Sequence, residues 1–323
     1  MKAMVQHVYG GPEVLELMDI DRPAVTDNGV LVRVRASSVN PVDWHFLTGK
    51  PYIARPSFGL FKPTQEVLGV DFAGTVESVG TNVTQFQPGD DVFGGRSGAF
   101  AEYVCVAEDR AVVVKPANLT FEEVATVPVA AVTALQALRD HGHIQPGQHV
   151  LINGASGGVG TFAVQIAKSF GATVTAVCRT GNVDMVRALG ADRVIDYTQE
   201  DFTRGDQRYD LMIDIAGSKS WSQCKRVLKP GATYVMVGGP DTNAFLGPLS
   251  HLVKVRLGSM RSSQKIKFFV ANVNKADMLV LRDLLASGKV KPVIDRRYAL
   301  SETAEALRYL GQGHAKAKVV ITV

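Results

Sequence analysis

The sequence predicts an α/β protein in which a β-rich first part is followed by a doubly wound parallel sheet. Up to about residue 125, short segments alternate apolar and polar side chains, which is the period of half-buried strands, and turns rich in Gly and Pro separate them. Beyond Val124, apolar strand-like segments alternate with segments whose apolar residues recur every three or four positions. Repeated β-α-β connections are typical of a parallel sheet covered by helices on both faces.

The individual elements follow from these two periods. In the first part, strands are predicted over residues 30–35, 70–79 and 100–106. In the second part, the predicted strands cover residues 149–153, 173–178, 193–197, 210–215 and 233–237, and the predicted helices cover 159–170, 183–189 and 221–228. The tail adds predicted helices over 276–286 and 303–310 and a strand over 318–323.

The composition is that of a globular protein with few specialised features. The chain has 323 residues, of which 46% are hydrophobic, and its net charge of +4 does not point to a nucleic-acid partner. No signal peptide and no run of about 18 apolar residues is present, so no membrane association is expected. Three cysteines without a CxxC pair argue against a disulfide scaffold and favour a reducing compartment, so a cytoplasmic location is predicted.

A glycine-rich turn in the second part is the strongest motif. Residues 153–160 read NGASGGVG, follow a predicted strand and open a predicted helix, which is the context of a dinucleotide-binding turn. Gly157 lets the backbone approach a pyrophosphate, Gly160 lets the helix pack on the strand, and the helix N-terminus faces the anion. The residues expected to contact the cofactor here are Ala155, Ser156, Gly157, Gly158 and Val159. The alternative is a tight turn that binds no ligand.

The end of the second predicted strand indicates which nicotinamide cofactor is bound. NAD enzymes usually carry Asp or Glu at this point, where the carboxylate accepts hydrogen bonds from the ribose 2′-OH. This strand ends in Cys178, Arg179 and Thr180, and Asn182 adds a further donor. A guanidinium and a hydroxyl suit a 2′-phosphate, so the sequence predicts NADPH. A solvated surface charge is the alternative interpretation of Arg179.

Several segments, taken together, resemble the zinc-independent medium-chain dehydrogenase/reductase family, in its quinone oxidoreductase and alkenal/enone reductase branch. Besides the glycine turn, they are SVNPVD at 38–43, GVDFAG at 69–74, PGDDVFG at 88–94, GAFAEY at 98–103, TALQAL at 133–138, LGAD at 189–192 and IDY at 195–197. The resemblance covers essentially the whole chain. It implies a GroES-like catalytic domain over residues 1–125, completed by 265–323, a Rossmann NADPH-binding domain over 126–264, and a homodimer formed through the edges of the Rossmann sheet.

The same resemblance implies that the site works without a metal. Zinc-using relatives place a Cys where this chain has Asn40, and a His-Glu pair where it has Val70 and Asp71. Zinc needs three or four N, S or O ligands, and these positions offer no thiolate or imidazole. Quinones and conjugated enones suit such a site because they accept hydride at carbon, and one of them is the expected small-molecule substrate.

Further site residues are carried over from the resemblance or from the strand ends. The resemblance implies that Asn40 orients the nicotinamide end of the cofactor and that Thr133 lies beside the nicotinamide. It also implies that the segment with Phe269 and Val270 runs past the nicotinamide, and that Tyr197 lies near the adenosine. Ala216, Val237 and Gly238 lie at the carboxyl ends of later predicted strands, where Rossmann ligands bind. Turn formation before Pro41, a strand-end aromatic and core packing are the alternatives for Asn40, Tyr197 and the Phe269–Val270 pair.

The proton donor is left open between two side chains and water. Tyr52 resembles a family tyrosine at the mouth of the substrate pocket, and His45 lies where some enone-reducing relatives carry a lysine. Tyr52, His45 and Asn40 are therefore the catalytic candidates. The leading hypothesis is an NADPH-dependent quinone or enone reductase. The alternatives are a reductase of other small carbonyls and an NADPH-binding redox-sensing or interaction protein with little turnover.

Overall fold

A computed structural model describes residues 1–239, 245, 249–313 and 315–323. The chain divides into two compact units, which we call unit 1 (Met1–Val132, Asn272–Gly288 and Pro292–Val323) and unit 2 (Thr133–Ala271 and Lys289–Lys291). The expected domain limits at 125/126 and 264/265 differ from these divisions by seven residues each. The second difference arises because residues 265–268 form a strand of the unit 2 sheet.

The secondary structure comprises fifteen strands and ten α-helices in the described residues. The strands are β1 (Lys2–Val5), β2 (Glu16–Asp19), β3 (Gly29–Val39), β4 (Asp71–Val79), β5 (Asp91–Gly95), β6 (Tyr103–Ala107), β7 (Val112–Val114), β8 (His149–Asn153), β9 (Thr173–Cys178), β10 (Arg193–Asp196), β11 (Tyr209–Asp214), β12 (Leu228–Met236), β13 (Lys265–Phe268), β14 (Ile294–Ala299) and β15 (Lys318–Thr322). The helices are α1 (Pro41–Thr48), α2 (Arg55–Phe58), α3 (Phe121–Ala125), α4 (Pro128–Gln136), α5 (Gly158–Ser169), α6 (Val183–Ala188), α7 (Trp221–Cys224), α8 (Leu249–Gly258), α9 (Lys275–Ala286) and α10 (Thr303–Gly311).

Unit 1 is built on a seven-stranded sheet with the order β14-β15-β3-β4-β5-β7, and β6 pairs with β3. Strand β3 shows why the alternating pattern folds this way: Val30, Val32 and Val34 are buried, while Arg33 and Arg35 are exposed. Strand β15 pairs antiparallel with β3, so the end of the chain completes the sheet begun by its first part.

Unit 2 contains a six-stranded parallel sheet with the order β10-β9-β8-β11-β12-β13. This order confirms the predicted doubly wound sheet, and the direction of winding reverses between β8 and β11. The core beside the sheet includes Leu151, Met212, Trp221 and Tyr234. Such a reversal point is where ligands bind in open α/β sheets.

In unit 2, one predicted element was wrong in detail and one strand was not predicted. The helix predicted over residues 221–228 ends at Cys224, because residues 225–227 form a 3-10 turn and Leu228 already pairs with Tyr209 in the sheet. Strand β13 was not predicted, since three of its four side chains are exposed and its sequence, KIKF, lacks a buried apolar run.

No helix among the described residues has both the length and the apolar character needed to cross a lipid bilayer.

Candidate functional site

The glycine turn in unit 2 has the local geometry that a bound pyrophosphate requires. Strand β8 ends at Asn153, Gly154 adopts a φ of +90°, and Gly157 caps the N-terminus of α5. A Cβ atom on Gly160 would collide with the Gly154 carbonyl oxygen, whereas a Cβ atom on Gly157 would meet only that oxygen, at 3.6 Å. The first turn of α5 therefore packs closely on the strand and leaves its N–H groups next to open space, which suits an anion.

The turn is tied to the end of the next strand by one side-chain hydrogen bond. Asn182 donates from Nδ2 to Oγ of Ser156 over 3.0 Å, and Asn182 is buried. Arg179 and Thr180 follow β9 and are exposed, and the backbone N–H of Tyr197 donates to the carbonyl of Cys178 over 3.1 Å. The structure thus brings six of the predicted cofactor residues together at the carboxyl ends of β8, β9 and β10.

A carboxylate that sequence analysis missed lies beside these residues. Asp196 ends β10 opposite Cys178 in the parallel register and accepts hydrogen bonds from the N–H and the hydroxyl of Thr198, at 2.9 and 2.8 Å. The Thr180 hydroxyl is the main cause that lowers the pKa of Asp196. The signal was present only in the strand register, since Asp196 is eighteen residues beyond Cys178 in sequence. Asp196 is thus an ionised hydrogen-bond acceptor at this strand end, and Arg179, Thr180 and Asn182 offer the donors to an anion there.

Cys178 is a poor candidate for nucleophilic chemistry. Its side chain is buried, and burial raises the pKa of the thiol to about 11, with Asp196 acting in the same direction. The thiolate is therefore disfavoured near neutral pH.

The ends of β11 and β12 lie against the glycine turn. The N–H of Val237 donates to the Asp214 carbonyl over 2.9 Å, and a Cβ atom on Gly238 would collide with the Ile215 carbonyl oxygen. A Cβ atom on Gly154 would lie 3.2 Å from the backbone nitrogen of Ala216. Close backbone approach at this edge of the sheet explains why small residues occur at these positions.

The remaining unit 2 candidates lie near a π-helical turn at Ala137–His141. The ring of Phe269 stacks on His141 with centroids 4.3 Å apart, and burial lowers the pKa of His141. Val270 is 83% exposed, which argues against core packing as the reason for that residue in unit 2. Thr133 is half-buried in α4.

In unit 1, Asn40 is held in a buried polar cluster. Its Nδ2 donates to Oδ2 of Asp71 over 2.8 Å and to the Ser38 carbonyl over 3.3 Å, while its Oδ1 accepts from Nζ of Lys318 over 2.6 Å. Its backbone N–H donates to Oδ2 of Asp43 over 2.8 Å at the start of α1. Asn40 is therefore more than the turn former before Pro41, because both ends of its amide are held in one orientation.

Lys318 was not recognised from the sequence, although a lysine that begins the otherwise apolar strand β15 is a signal. Its ammonium group is fully buried and lies 3.5 Å from Oδ2 of Asp71, which also accepts the Ser38 hydroxyl at 2.7 Å. Burial lowers the pKa of Lys318 and raises the pKa of Asp43 to about 8. Within the described residues, no group of three or more His, Cys, Asp or Glu side chains is arranged to hold a metal ion.

The two candidate proton donors lie elsewhere in unit 1. The Nδ1 atom of His45 is 2.8 Å from the Lys50 carbonyl oxygen, so a proton on Nδ1 leaves Nε2 as the unprotonated nitrogen of the neutral ring. Tyr52 is 41% exposed, and the guanidinium of Arg55 lies over its ring, 4.7 Å from the centroid. Arg55 also lies over the ring of Tyr9, at 4.6 Å, so Tyr52 belongs to an aromatic–cation stack.

Comparison with protein families agrees with this architecture. The alcohol dehydrogenase GroES-like domain matches residues 26–117, and the family described as zinc-binding dehydrogenase matches residues 189–321. These matches confirm the GroES-like and Rossmann fold classes predicted for the two parts of the chain.

Individual relatives match along nearly the whole chain. The mitochondrial NAD(P)H oxidoreductase RTN4IP1 of Mus musculus is 34% identical over all of this chain and 89% of its own length. The chloroplastic NADPH-dependent alkenal/one oxidoreductase of Arabidopsis thaliana is 33% identical over 99% of this chain and 79% of its own length. The structure of the quinone oxidoreductase from Coxiella burnetii superposes with a TM-score of 0.86 at 31% identity and covers 100% of this chain and 99% of that one. By its sequence motifs, its two sheets and these full-length relatives, the chain belongs to the medium-chain dehydrogenase/reductase family.

Proposed function

We propose that this protein is an oxidoreductase that uses NADPH to transfer hydride to quinones or α,β-unsaturated carbonyls, without zinc. The observation that carries the proposal is the polar arrangement at the ends of β8 and β9. There the Ser156–Asn182 hydrogen bond joins the glycine turn to the strand end that bears Arg179.

This arrangement fits a phosphorylated dinucleotide at two points. The open turn before α5 suits the pyrophosphate, because helix N-terminal N–H groups bind anions. The exposed guanidinium of Arg179 and hydroxyl of Thr180 suit a 2′-phosphate. NADPH supplies the hydride when bound, and the protein's residues bind and orient it.

In unit 1, Asn40, Tyr52 and His45 are proposed to act on the nicotinamide end of the cofactor and on the substrate. Asn40 offers an amide whose orientation is fixed by Lys318 and Asp71. Tyr52 and His45 remain the candidates for proton donation to the substrate oxygen, with water as the alternative.

The side chains present in unit 1 support a chemistry without zinc. The amide of Asn40 and the carboxylate of Asp71 already share a buried ammonium group. A divalent cation next to that ammonium would meet electrostatic repulsion in a region of low dielectric constant.

The substrate class is proposed from the names of two relatives. One is an alkenal/one oxidoreductase and the other a quinone oxidoreductase. Both substrate types accept hydride at carbon and need no metal to polarise a simple carbonyl. The cytoplasmic location stays a prediction, since the two named eukaryotic relatives are mitochondrial and chloroplastic.

We also propose that the protein forms a homodimer through the edge of the unit 2 sheet. Strand β13 lies at the end of the sheet order, and three of its four side chains are exposed. Met260 and Val270 near this edge are 77% and 83% exposed. An edge strand with apolar neighbours is a surface that pairing with a second copy would cover.

Turnover measurements test the proposed activity directly. We expect the purified protein to oxidise NADPH when 1,4-benzoquinone or methyl vinyl ketone is added, and to do so much more slowly with acetone. Treatment with a zinc chelator should leave the rate unchanged. Binding of NADPH without turnover of either acceptor would contradict the enzyme assignment and favour a redox-sensing or interaction role. Loss of activity that zinc restores would contradict the metal-free site.

A further inference from the structure

A buried carboxyl group lies directly behind the glycine turn. Asp214, the last residue of β11, is completely buried and is the parallel partner of Asn153, the last residue of β8. These two residues lie at the point where the direction of sheet winding reverses. Burying a carboxyl group is costly unless hydrogen bonds compensate for lost hydration, so its partners indicate what it does.

The Asp214 carboxyl group accepts three hydrogen bonds, and two of them come from the Asn153 side chain and the Gly217 backbone, in the turns at the ligand-binding edge of the sheet. Oδ1 accepts Nδ2 of Asn153 at 2.7 Å and the backbone N–H of Gly217 at 3.0 Å. Oδ2 accepts the hydroxyl of Tyr234 at 2.5 Å from the opposite side. The Asn153 amide also donates to Oγ of Ser218 over 3.2 Å.

These bonds connect two chain segments whose backbones already touch. The N–H of Ile215 donates to the Asn153 carbonyl over 3.0 Å, and a Cβ atom on Gly154 would lie 3.2 Å from the nitrogen of Ala216. The turn that begins at Asn153 and the turn that follows Asp214 are therefore braced against each other, with the carboxyl group between them.

The charge of Asp214 is compatible with a nearby anion. Burial raises its pKa, although the donors from Tyr234, Asn153 and Gly217 and the His251 imidazole act in the opposite direction. A carboxyl group that keeps its proton more readily carries less negative charge toward a pyrophosphate.

We propose that Asp214 is a positioning residue for dinucleotide binding, whose buried carboxyl group fixes the phosphate-binding turn by joining the end of β8 to the end of β11. The inference rests on the proposed function, because it assumes that the turn binds the pyrophosphate of NADPH. It assigns Asp214 no contact with the cofactor or with the reacting atoms.

The Kd values of cofactor fragments distinguish a positioning role of Asp214 from a general contribution to stability. ADP-ribose probes the pyrophosphate position, adenosine 2′-phosphate probes the end of β9, and NADPH probes both. For Asp214→Ala we expect the Kd of ADP-ribose and NADPH to rise about tenfold, while the Kd of adenosine 2′-phosphate changes by less than about twofold. Asp214→Asn should restore tight binding, since its oxygen still accepts from Asn153 and Gly217 and its amide can donate to the Tyr234 hydroxyl.

Two further variants complete the design. Asn153→Ala removes the turn side of the network and should reproduce the selective loss even if Asp214→Ala does not fold. Tyr234→Phe is the matched control, because it removes a hydrogen bond from the same carboxyl group on the side away from the turn and should leave all three Kd values unchanged.

Three outcomes would count against the inference. Wild-type affinity for ADP-ribose in folded Asp214→Ala or Asn153→Ala would overturn it and leave the proposed function intact. Equal weakening of all three ligands would also overturn it, since that result indicates a general structural role. Failure of the wild-type protein to bind either NADPH or ADP-ribose would overturn the proposed function and the inference together.

Discussion

Lys318 illustrates how a single residue can set the electrostatics of a buried cluster. Its ammonium group contacts the amide oxygen of Asn40 and the carboxylate of Asp71 in the interior of unit 1. Asp43 lies in the same cluster, where burial raises its pKa to about 8, and its Oδ1 has no hydrogen-bond partner among the described residues. The three ionisable side chains are therefore interdependent, and removal of the Lys318 cation affects the carboxyl groups that share its cluster.

We predict that Lys318→Met destabilises the protein strongly. Breaking a buried ion pair by removing one partner costs about 3–5 kcal/mol, which corresponds to a melting temperature lower by about 4–7 °C for a chain of this length. Circular dichroism melting curves measure the effect, and Lys316→Met, two residues earlier and exposed, is the matched control. Equal melting temperatures for the two variants would contradict the role assigned to Lys318.

The loss of melting temperature in Lys318→Met should also depend on pH. The folded-state pKa of Asp43 lies above its unfolded value, so this group favours folding most below about pH 4, and its contribution is lost as the pH rises toward about 8. The Lys318 cation favours the ionised form of Asp43, so without it ionisation of Asp43 in the folded state becomes harder. The melting-temperature difference from wild type should therefore be larger at pH 8 than at pH 5.

At the scale of elements, edge strand β13 is the part of the unit 2 sheet at which the dimer is proposed to form. It contributes the sixth strand of the unit 2 sheet, its sequence alternates Lys with apolar residues, and no second strand of the described residues pairs with its outer edge. Unpaired edges are generally protected or used for pairing.

We predict that Val270→Asp weakens the proposed dimer. Sedimentation of the wild-type protein at micromolar concentration should give twice the mass of one chain. The charge that Val270→Asp introduces next to β13 should shift the measured mass toward that of the monomer. Val114→Asp, at an exposed position of edge strand β7 in unit 1, should leave the dimer intact. A wild-type protein that sediments as a monomer would contradict the dimer.

The elements also show what sequence alone can predict. Strand β8 and the glycine turn were predictable because an apolar run and a positive-φ glycine leave local signals. Strands β13 and β14 were missed because none of their side chains is fully buried, and their pairing depends on distant segments. Asp196, Asp214 and Lys318 were missed as site residues for a related reason: each gains its partners through strand register or long-range packing.

At the scale of the whole molecule, the chain builds its two units in an interleaved order. Unit 1 takes its residues from both ends of the chain, and unit 2 lies between them in sequence. The tail predicted from the family resemblance to complete the first domain contributes α9, β14, α10 and β15 to unit 1. The pyrophosphate and the 2′-phosphate of the dinucleotide are both assigned to unit 2, so their binding there is the claim on which the rest of the functional account depends.

Isothermal titration calorimetry of the intact chain with NADPH and NADH tests that claim most directly. The wild-type protein should bind NADPH more tightly than NADH, and Arg179→Ala should weaken NADPH by roughly 10- to 100-fold while changing NADH little, because a charged hydrogen bond to the 2′-phosphate is lost. Arg193→Ala, an exposed arginine at the opposite end of neighbouring strand β10, should change neither affinity. Equal affinities for the two cofactors in wild type and Arg179→Ala, or no heat of binding with either, would contradict the account.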